Sequence, residues 1–286
     1  MASPGVFFTA AYPKALPYLR DVCKSAMEQT RTDFDLVVVN DGCDSSAIED
    51  AFKGLPIILV DGVKGIAANR LLGIEYAKTH GYDYLLFCDA DDTFTANRYE
   101  LTLKEFEDSK ADIVVCNLNI VDEQLRPMIP DYFNKELPES QWITPEFLMT
   151  KNIFGMSNTA IRLSAITDAI SIPDIPIVDW YLFTLLLQRG LRAKYISDSL
   201  VDYRQYSDNM IGINRFDIAS FRRLAKHKNT HYKHLVEDGY PQYKSLLEES
   251  ETLFDLTDDE IESLVAKGLL EHPQPLWWQI ITRNNN

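Results

Sequence analysis

In the run YLLFCDADD, residues 84 to 92, a continuous apolar stretch ends in three carboxylates. Residues two apart on an extended chain share a side, so Asp89 and Asp91 face the same way. Two carboxylates that close repel each other unless a cation or a bound proton compensates, and an oxygen-only pair suits Mg2+ or Mn2+. A solvated acidic turn is the plainer alternative, and Asp92 fits it best. The run VVVNDGCDSS, residues 37 to 46, is a second apolar stretch ending in a polar turn, with Asn40, Asp41 and Gly42 ahead of a helix. Asn and Asp bond their own backbone in such turns, so turn chemistry is an alternative to a functional role and the segment by itself decides little.

Both runs need a sheet behind them. GVFFTA, DLVVVN, PIILV, YLLFCDA and ADIVVCN read as strands, and residues 17 to 29 and 65 to 79 carry apolar side chains at helical spacing. This alternation over the first 117 residues predicts an α/β fold with a mostly parallel central sheet. Ligands bind at the carboxyl ends of such strands, which predicts Asp41 and Asp89 on neighbouring strand ends. Residues 124 to 143 carry three prolines and predict a long covering loop. A helix is expected from about Trp180 to Gln188, then two strands, AKYIS and LVDYRQY.

The 286 residues, 46% hydrophobic and 25% charged, describe a folded globular chain rather than a disordered or fibrous one. A net charge of −15 argues against nucleic acid as a partner, since phosphate contacts need excess Lys and Arg. Cys23, Cys43, Cys88 and Cys116 form no C-x-x-C pair and are expected as buried, reduced thiols. No apolar run reaches the ~18 residues of a membrane span, and the first residues lack a signal-peptide pattern, so a cytoplasmic location is expected.

Taken in order, the motifs resemble the family 2 inverting glycosyltransferases, whose nucleotide-sugar-binding domain has the GT-A fold. FFTAAYP matches the first strand and its polar segment, and VVNDGC matches V-D/N-D-G-S with Cys43 for Ser. Gly65 to Gly73, GIAANRLLG, matches G-x-A/S-x-A-R-N-x-G, with Leu71 where the family has Asn and an Asn at 69 instead. The D-x-D-D strand end follows, then Val178-Asp179-Trp180, then YRQYSDNMIG from Tyr203 to Gly212, where Tyr206 replaces the family's His. The resemblance covers about residues 5 to 212.

It implies that Thr9 and Asp41 contact the nucleotide base with Tyr12 flanking it, and that Arg70 reaches base or phosphates. It further implies that Asp89 meets the ribose, that Asp91, with Asp89 beside it, holds Mn2+ or Mg2+ on the diphosphate, and that Arg204 and Gln205 lie on the donor. Asp179 is the implied general base, taking the proton of the attacking hydroxyl. Its competing role is to N-cap the helix starting at Trp180. The implied donor is a nucleotide-diphosphate sugar, most commonly of uridine, and the acceptor a glycan or lipid-linked glycan. Two rivals stand beside this reading. LLFCDADDTF also fits the haloacid-dehalogenase phosphatase pattern, with Asp89 as nucleophile, and a nucleotide-sugar-binding protein without turnover would keep the same motifs.

Beyond the GT-A domain, placed at residues 1 to 214, a helical extension is expected over 215 to 286, with helices near 216 to 236, 240 to 254 and 258 to 267. Thr257 and Glu260 form a capping-box pattern for the last. Residues 215 to 234 hold six Lys or Arg against one Asp, whereas 235 to 286 hold three against eleven acidic residues. The basic stretch either docks on the acidic remainder or makes peripheral contact at the inner face of an anionic membrane, with Trp277 and Trp278 as interfacial anchors.

Overall fold

The structure is a computed structural model that describes residues 4–206, 217–272 and 274–279. Four strands, β1 (Gly5–Ala11), β2 (Phe34–Asn40), β3 (Ile58–Asp61) and β4 (Tyr84–Phe87), pair in parallel in the order β3-β2-β1-β4. Helices α1 (Leu19–Met27), α2 (Ser45–Ala51) and α3 (Ile66–Thr79) supply the crossovers. Every residue of β1 is buried, as in a central strand covered on both faces. At Gly73 a Cβ would stand 2.2 Å from the Phe8 ring, so α3 lies against β1 closer than any side chain allows.

A second group comprises β5 (Thr93–Phe94), α4 (Arg98–Ser109), β6 (Ile113–Val121), β7 (Pro127–Ile129), β8 (Gln141–Ile143), β9 (Thr159–Arg162), α5 (Val178–Gln188) and β10 (Ala193–Arg204). β6 and β10 are parallel, and β9 joins β4 to β6 by running antiparallel between them. The parallel core is as expected, but β9 is an addition that four residues, Thr-Ala-Ile-Arg, do not announce. AKYIS and LVDYRQY form one strand, interrupted by a register shift at Ser197–Ser199 where polar residues break the apolar alternation. The stretch 124 to 143 is more than a loop, since β7 and β8 lie in it.

Helices α6 (Ile218–Glu237), α7 (Lys244–Thr252) and α8 (Asp258–Glu271) follow. The capping box on α8 is present, with Thr257 and Glu260 bonded reciprocally. Arg222 of α6 pairs with Asp258 of α8 at 2.7 Å, and Lys228 is buried beside the Thr150 carbonyl. Arg215 and the boundary drawn at 214 lie outside the described residues. Trp277 and Trp278, expected at the surface, are 5% and 4% exposed. Three of the four thiols are buried, and Cys43 is only half-buried. No helix among the described residues is long and apolar enough to cross a membrane.

Candidate active site

Because β1, β2 and β4 run parallel, their carboxyl ends share one edge of the sheet, and a cavity of about 440 Å³ opens there. Asp41 and Asp89 both line it. Their strands flank β1 and are not paired with each other, which corrects the expectation of neighbouring strands. The Asn40 side chain closes the turn after β2, receiving Cys43 N at 2.7 Å, and Gly42 supplies the left-handed φ of +86°. Asp41 is thereby held facing the cavity.

The three carboxylates after β4 have different partners. Arg70 Nη2 donates to Asp89 Oδ1 at 2.5 Å, and Ser157 Oγ donates to Asp89 Oδ2 at 3.3 Å. Asp91 Oδ2 receives the hydroxyls of Tyr12, at 3.2 Å, and Tyr206. Asp92 is buried, not a solvated turn, and accepts from Ser157 Oγ and, at 2.8 Å, from the Arg204 amide. Burial pushes the Asp89 carboxyl upward against the pull of Arg70, and burial with the charges of Asp91 and Asp89 pushes Asp92 well above the usual range. Arg98, buried beneath the cluster, donates to the Phe87 carbonyl.

Arg204 is committed to the protein. Its guanidinium donates to Asp21 at 2.6 Å, to the Glu123 carbonyl at 2.6 Å and to the Asp91 carbonyl at 2.7 Å, and it lies 4.4 Å over the Tyr18 ring. It lines the cavity, but these bonds make it a clamp on the Asp91 turn. Gln205 is buried, and its backbone N–H donates to the Val121 carbonyl; like Thr9, which is fully buried, it is not among the cavity-lining residues. From β1, the cavity is lined instead by Ala10 and, just beyond the strand, Tyr12. Ser207 to Gly212 of the last motif lie outside the described residues.

Asp179 opens onto the same cavity from the first turn of α5. The helix begins at Val178 with Ile177 as N-cap and no side-chain capping bond, so Asp179 is not the cap. Burial, with a smaller push from Asp89, raises its carboxyl to about 6, against the backbone N–H of Trp180 and the charge of Arg70. Asp179 thus senses Asp89 and Arg70 across the cavity. Burial also leaves donors in place there. Asn69 Nδ2 and Arg70 Nη1 have no partner among the described residues, while Asn69 Oδ1 is used by Val63 N at 2.7 Å.

The oxygen donors fit a divalent cation shared with a ligand. Among the described residues no three acidic, His or Cys side chains converge as a closed metal cage. Mg2+ and similar ions bound with phosphates need only one or two carboxylates, which Asp91 and Asp89 provide. Sequence reasoning missed Ser157, which is 68 positions from its partner Asp89, and read Trp277 and Trp278 as interfacial anchors, whereas the fold brings both to this wall.

The chain belongs to glycosyl transferase family 2, whose family model matches residues 7–165. Uncharacterized glycosyltransferase YwdF of Bacillus subtilis (strain 168) is 31% identical over 109 residues, which take in 37% of this chain and 39% of that protein. The match therefore spans about two fifths of that relative's length. Among solved structures, S. aureus TarS 1-349 in complex with UDP-GlcNAc has a TM-score of 0.62 at 16% identity, over 94% of this chain and 78% of that one. Mannosyltransferase PcManGT from Pyrobaculum calidifontis, in complex with GDP-Man and Mn2+, has a TM-score of 0.56 at 18% identity, over 95% and 77%. The fold is of the GT-A type.

Proposed function

We propose that the chain moves a sugar from a nucleotide-diphosphate sugar, with uridine as the base, to a hydroxyl of a glycan or lipid-linked acceptor, with inversion at the anomeric carbon. One observation carries the reading: Asp179, its carboxyl raised to about 6, faces the Asp89 and Asp91 pair across a single cavity. Inversion needs two separated acidic sites, one for the acceptor's proton and one on the departing diphosphate. A carboxyl near 6 is ionised at neutral pH yet basic enough to accept that proton. The acceptor oxygen attacks the anomeric carbon, its proton passes to Asp179, and the bond to the diphosphate breaks with its electron pair on the diphosphate oxygen.

Asp91 and Asp89 are proposed to hold Mn2+ or Mg2+, which when bound offsets charge on the leaving diphosphate. Asn69 Nδ2 and Arg70 Nη1 are buried N–H groups without a partner among the described residues and are proposed to meet the donor's phosphates, while Asp41 and Tyr12, which line the cavity, are proposed to meet the base, and Asp89 the ribose. Arg204 positions Asp91 through its main chain. TarS was solved with UDP-GlcNAc and PcManGT with GDP-Man and Mn2+, which supports a nucleotide-sugar donor here. Family membership, and β4 as the fourth strand where a phosphatase would open with it, favour transfer over phosphate hydrolysis. Residues 1 to 214 are proposed as the transferase domain and 215 to 286 as its helical extension, working in the cytoplasm with peripheral contact through 215 to 234.

A thermal-shift panel of nucleoside diphosphates and nucleotide sugars, with and without Mn2+, tests the reading. Ligand binding adds to folded-state stability, so uridine donors with Mn2+ should raise the melting temperature most. A panel in which no nucleotide shifts it would refute the reading.

A further inference from the structure

Of the three tyrosines that line the cavity among the described residues, two are already engaged, since Tyr12 and Tyr206 both give their hydroxyls to Asp91. The third is Tyr203. It stands one residue before the Arg204 clamp at the end of β10, where successive side chains point to opposite faces of the sheet. Arg204 is directed to Asp21 and the Tyr18 ring, whereas the Tyr203 ring lies 5.9 Å from that of Trp277. That neighbour is itself fixed: Asn152 N donates to the Trp277 carbonyl at 2.9 Å, and Gln274 Nε2 donates to the Tyr132 carbonyl at 2.6 Å. Packing thus holds the ring of Tyr203, but nothing holds its hydroxyl. Among the described residues the Tyr203 Oη has no hydrogen-bond partner, and unlike the Tyr195 hydroxyl it is not sealed from solvent.

Its surroundings keep that hydroxyl protonated. Burial raises the phenol well above its ordinary value, and the charges of Asp92, Asp91, Asp89 and Asp179 add to the rise in that order. Tyr203 therefore senses both the carboxylate cluster and the proposed base, and the cluster more strongly. Ionised carboxylates can only accept hydrogen bonds, so a neutral O–H among them offers what they cannot, a hydrogen for an anion. In the transferase reading the anion at that end of the cavity is the diphosphate, whose bond to the anomeric carbon lies between the cation pair and Asp179.

We propose that Tyr203 is a further catalytic residue, its hydroxyl donating to the diphosphate oxygen that leaves, an assignment that rests on the transferase reading above. As the bond from the anomeric carbon to that oxygen breaks, the electron pair goes to the oxygen. The Tyr203 hydrogen bond strengthens onto the growing charge, and the proton stays on the phenol. The proton of the attacking hydroxyl still passes to Asp179.

The test uses the full chain and Tyr203→Phe, which removes the O–H and keeps the ring beside Trp277. Both proteins are titrated, with Mn2+ present, with uridine and guanosine diphosphate and with the corresponding monophosphates. The terminal phosphate, which the monophosphates lack, carries the oxygen that leaves. The expected result is a diphosphate affinity about tenfold or more weaker in the variant, with monophosphate affinity and the melting temperature of the free protein as in the parent. Unchanged diphosphate affinity overturns the assignment and leaves the hydroxyl to the sugar or the acceptor. A variant that loses diphosphate and monophosphate in step, or that melts well below the parent, traces the effect to packing and overturns it as well. A parent that binds neither diphosphate refutes the transferase reading itself, and the assignment with it.

Discussion

The Tyr206 hydroxyl donates to Asp91 Oδ2, the same oxygen that Tyr12 Oη approaches at 3.2 Å. Two phenols from opposite ends of the catalytic fold thus meet on the carboxylate proposed to hold the cation. Burial raises both phenol pKa values, followed by the Asp91 charge for Tyr12 and by the hydrogen bond to Asp91 for Tyr206, so both remain donors through the neutral range. A donor on this oxygen competes with a cation for the same lone pairs.

Tyr206→Phe removes one competitor and leaves the ring stack with Tyr18 in place. The Mn2+ concentration for half-maximal activity should fall by about three- to tenfold, since one hydrogen bond to a charged group is lost. Asp91→Asn should have the opposite effect, abolishing metal dependence of nucleotide binding while the fold survives. Unchanged metal titrations in both variants would remove Asp91 from the cation site.

Arg70 and Asp89 form an ion pair whose side chains are 11% and 25% exposed. Arg70→Met strands a mostly buried carboxylate and should cost about 3 kcal/mol or more at pH 7. Burial already raises the Asp89 carboxyl, so in the variant it takes up a proton in the folded state as pH falls, and the deficit shrinks toward pH 5. Denaturant melts at both pH values, with Arg70→Met/Asp89→Asn recovering most of the loss, are the check. A pH-independent deficit would trace the damage to packing.

Asp179 must be ionised to accept a proton, so kcat/KM should fall about tenfold per pH unit below about 6. Asp179→Asn should lower turnover by ~10² to 10⁴ and leave nucleotide affinity unchanged. Stability gives an independent sign. A carboxyl raised in the folded state loses stability as pH rises from its unfolded value to about 6, and the loss is complete above that. The Asn variant should therefore melt higher than the parent at pH 8 and show a smaller gain at pH 4.

The basic face of α6 has less charge to offer a membrane than its composition suggests. Arg222 is paired with Asp258 and Lys228 is buried, while Arg223 and Lys226 are exposed. Flotation with anionic vesicles should show weak retention at low salt, lost at high salt and in Arg223→Ala/Lys226→Ala. Retention indifferent to salt and to both substitutions would place any membrane contact elsewhere.

The parallel half of the sheet was the more legible part of the sequence. β1, β2 and β4 are apolar runs whose periodicity and polar ends speak for themselves, and Asp41, Asp89, Asp91 and Asp179 sit where those runs stop or a helix begins. What stayed hidden depends on tertiary contact. β9 is four residues long and exists because two strands leave a gap for it, and Ser157 gains meaning only through Asp89 and Asp92. Arg204 reads in sequence as a donor contact, yet the fold spends its guanidinium on Asp21 and two carbonyls. Tryptophan beside a basic helix suggested a surface anchor, whereas the hydrogen bonds of 274 to 277 carry it inward.

The bridge between Asn152 and Trp277 also fixes an order of events during synthesis. Domains fold as units from the N-terminal side while the ribosome is still working, so the parallel strands and the carboxylate turn can form early. The wall at 277 and 278 can close only after α8 has emerged. A nascent chain interrupted before Leu276 would carry the carboxylate cluster with one side open to water. Arrival of residues 277 and 278 would then be the event that closes the cavity.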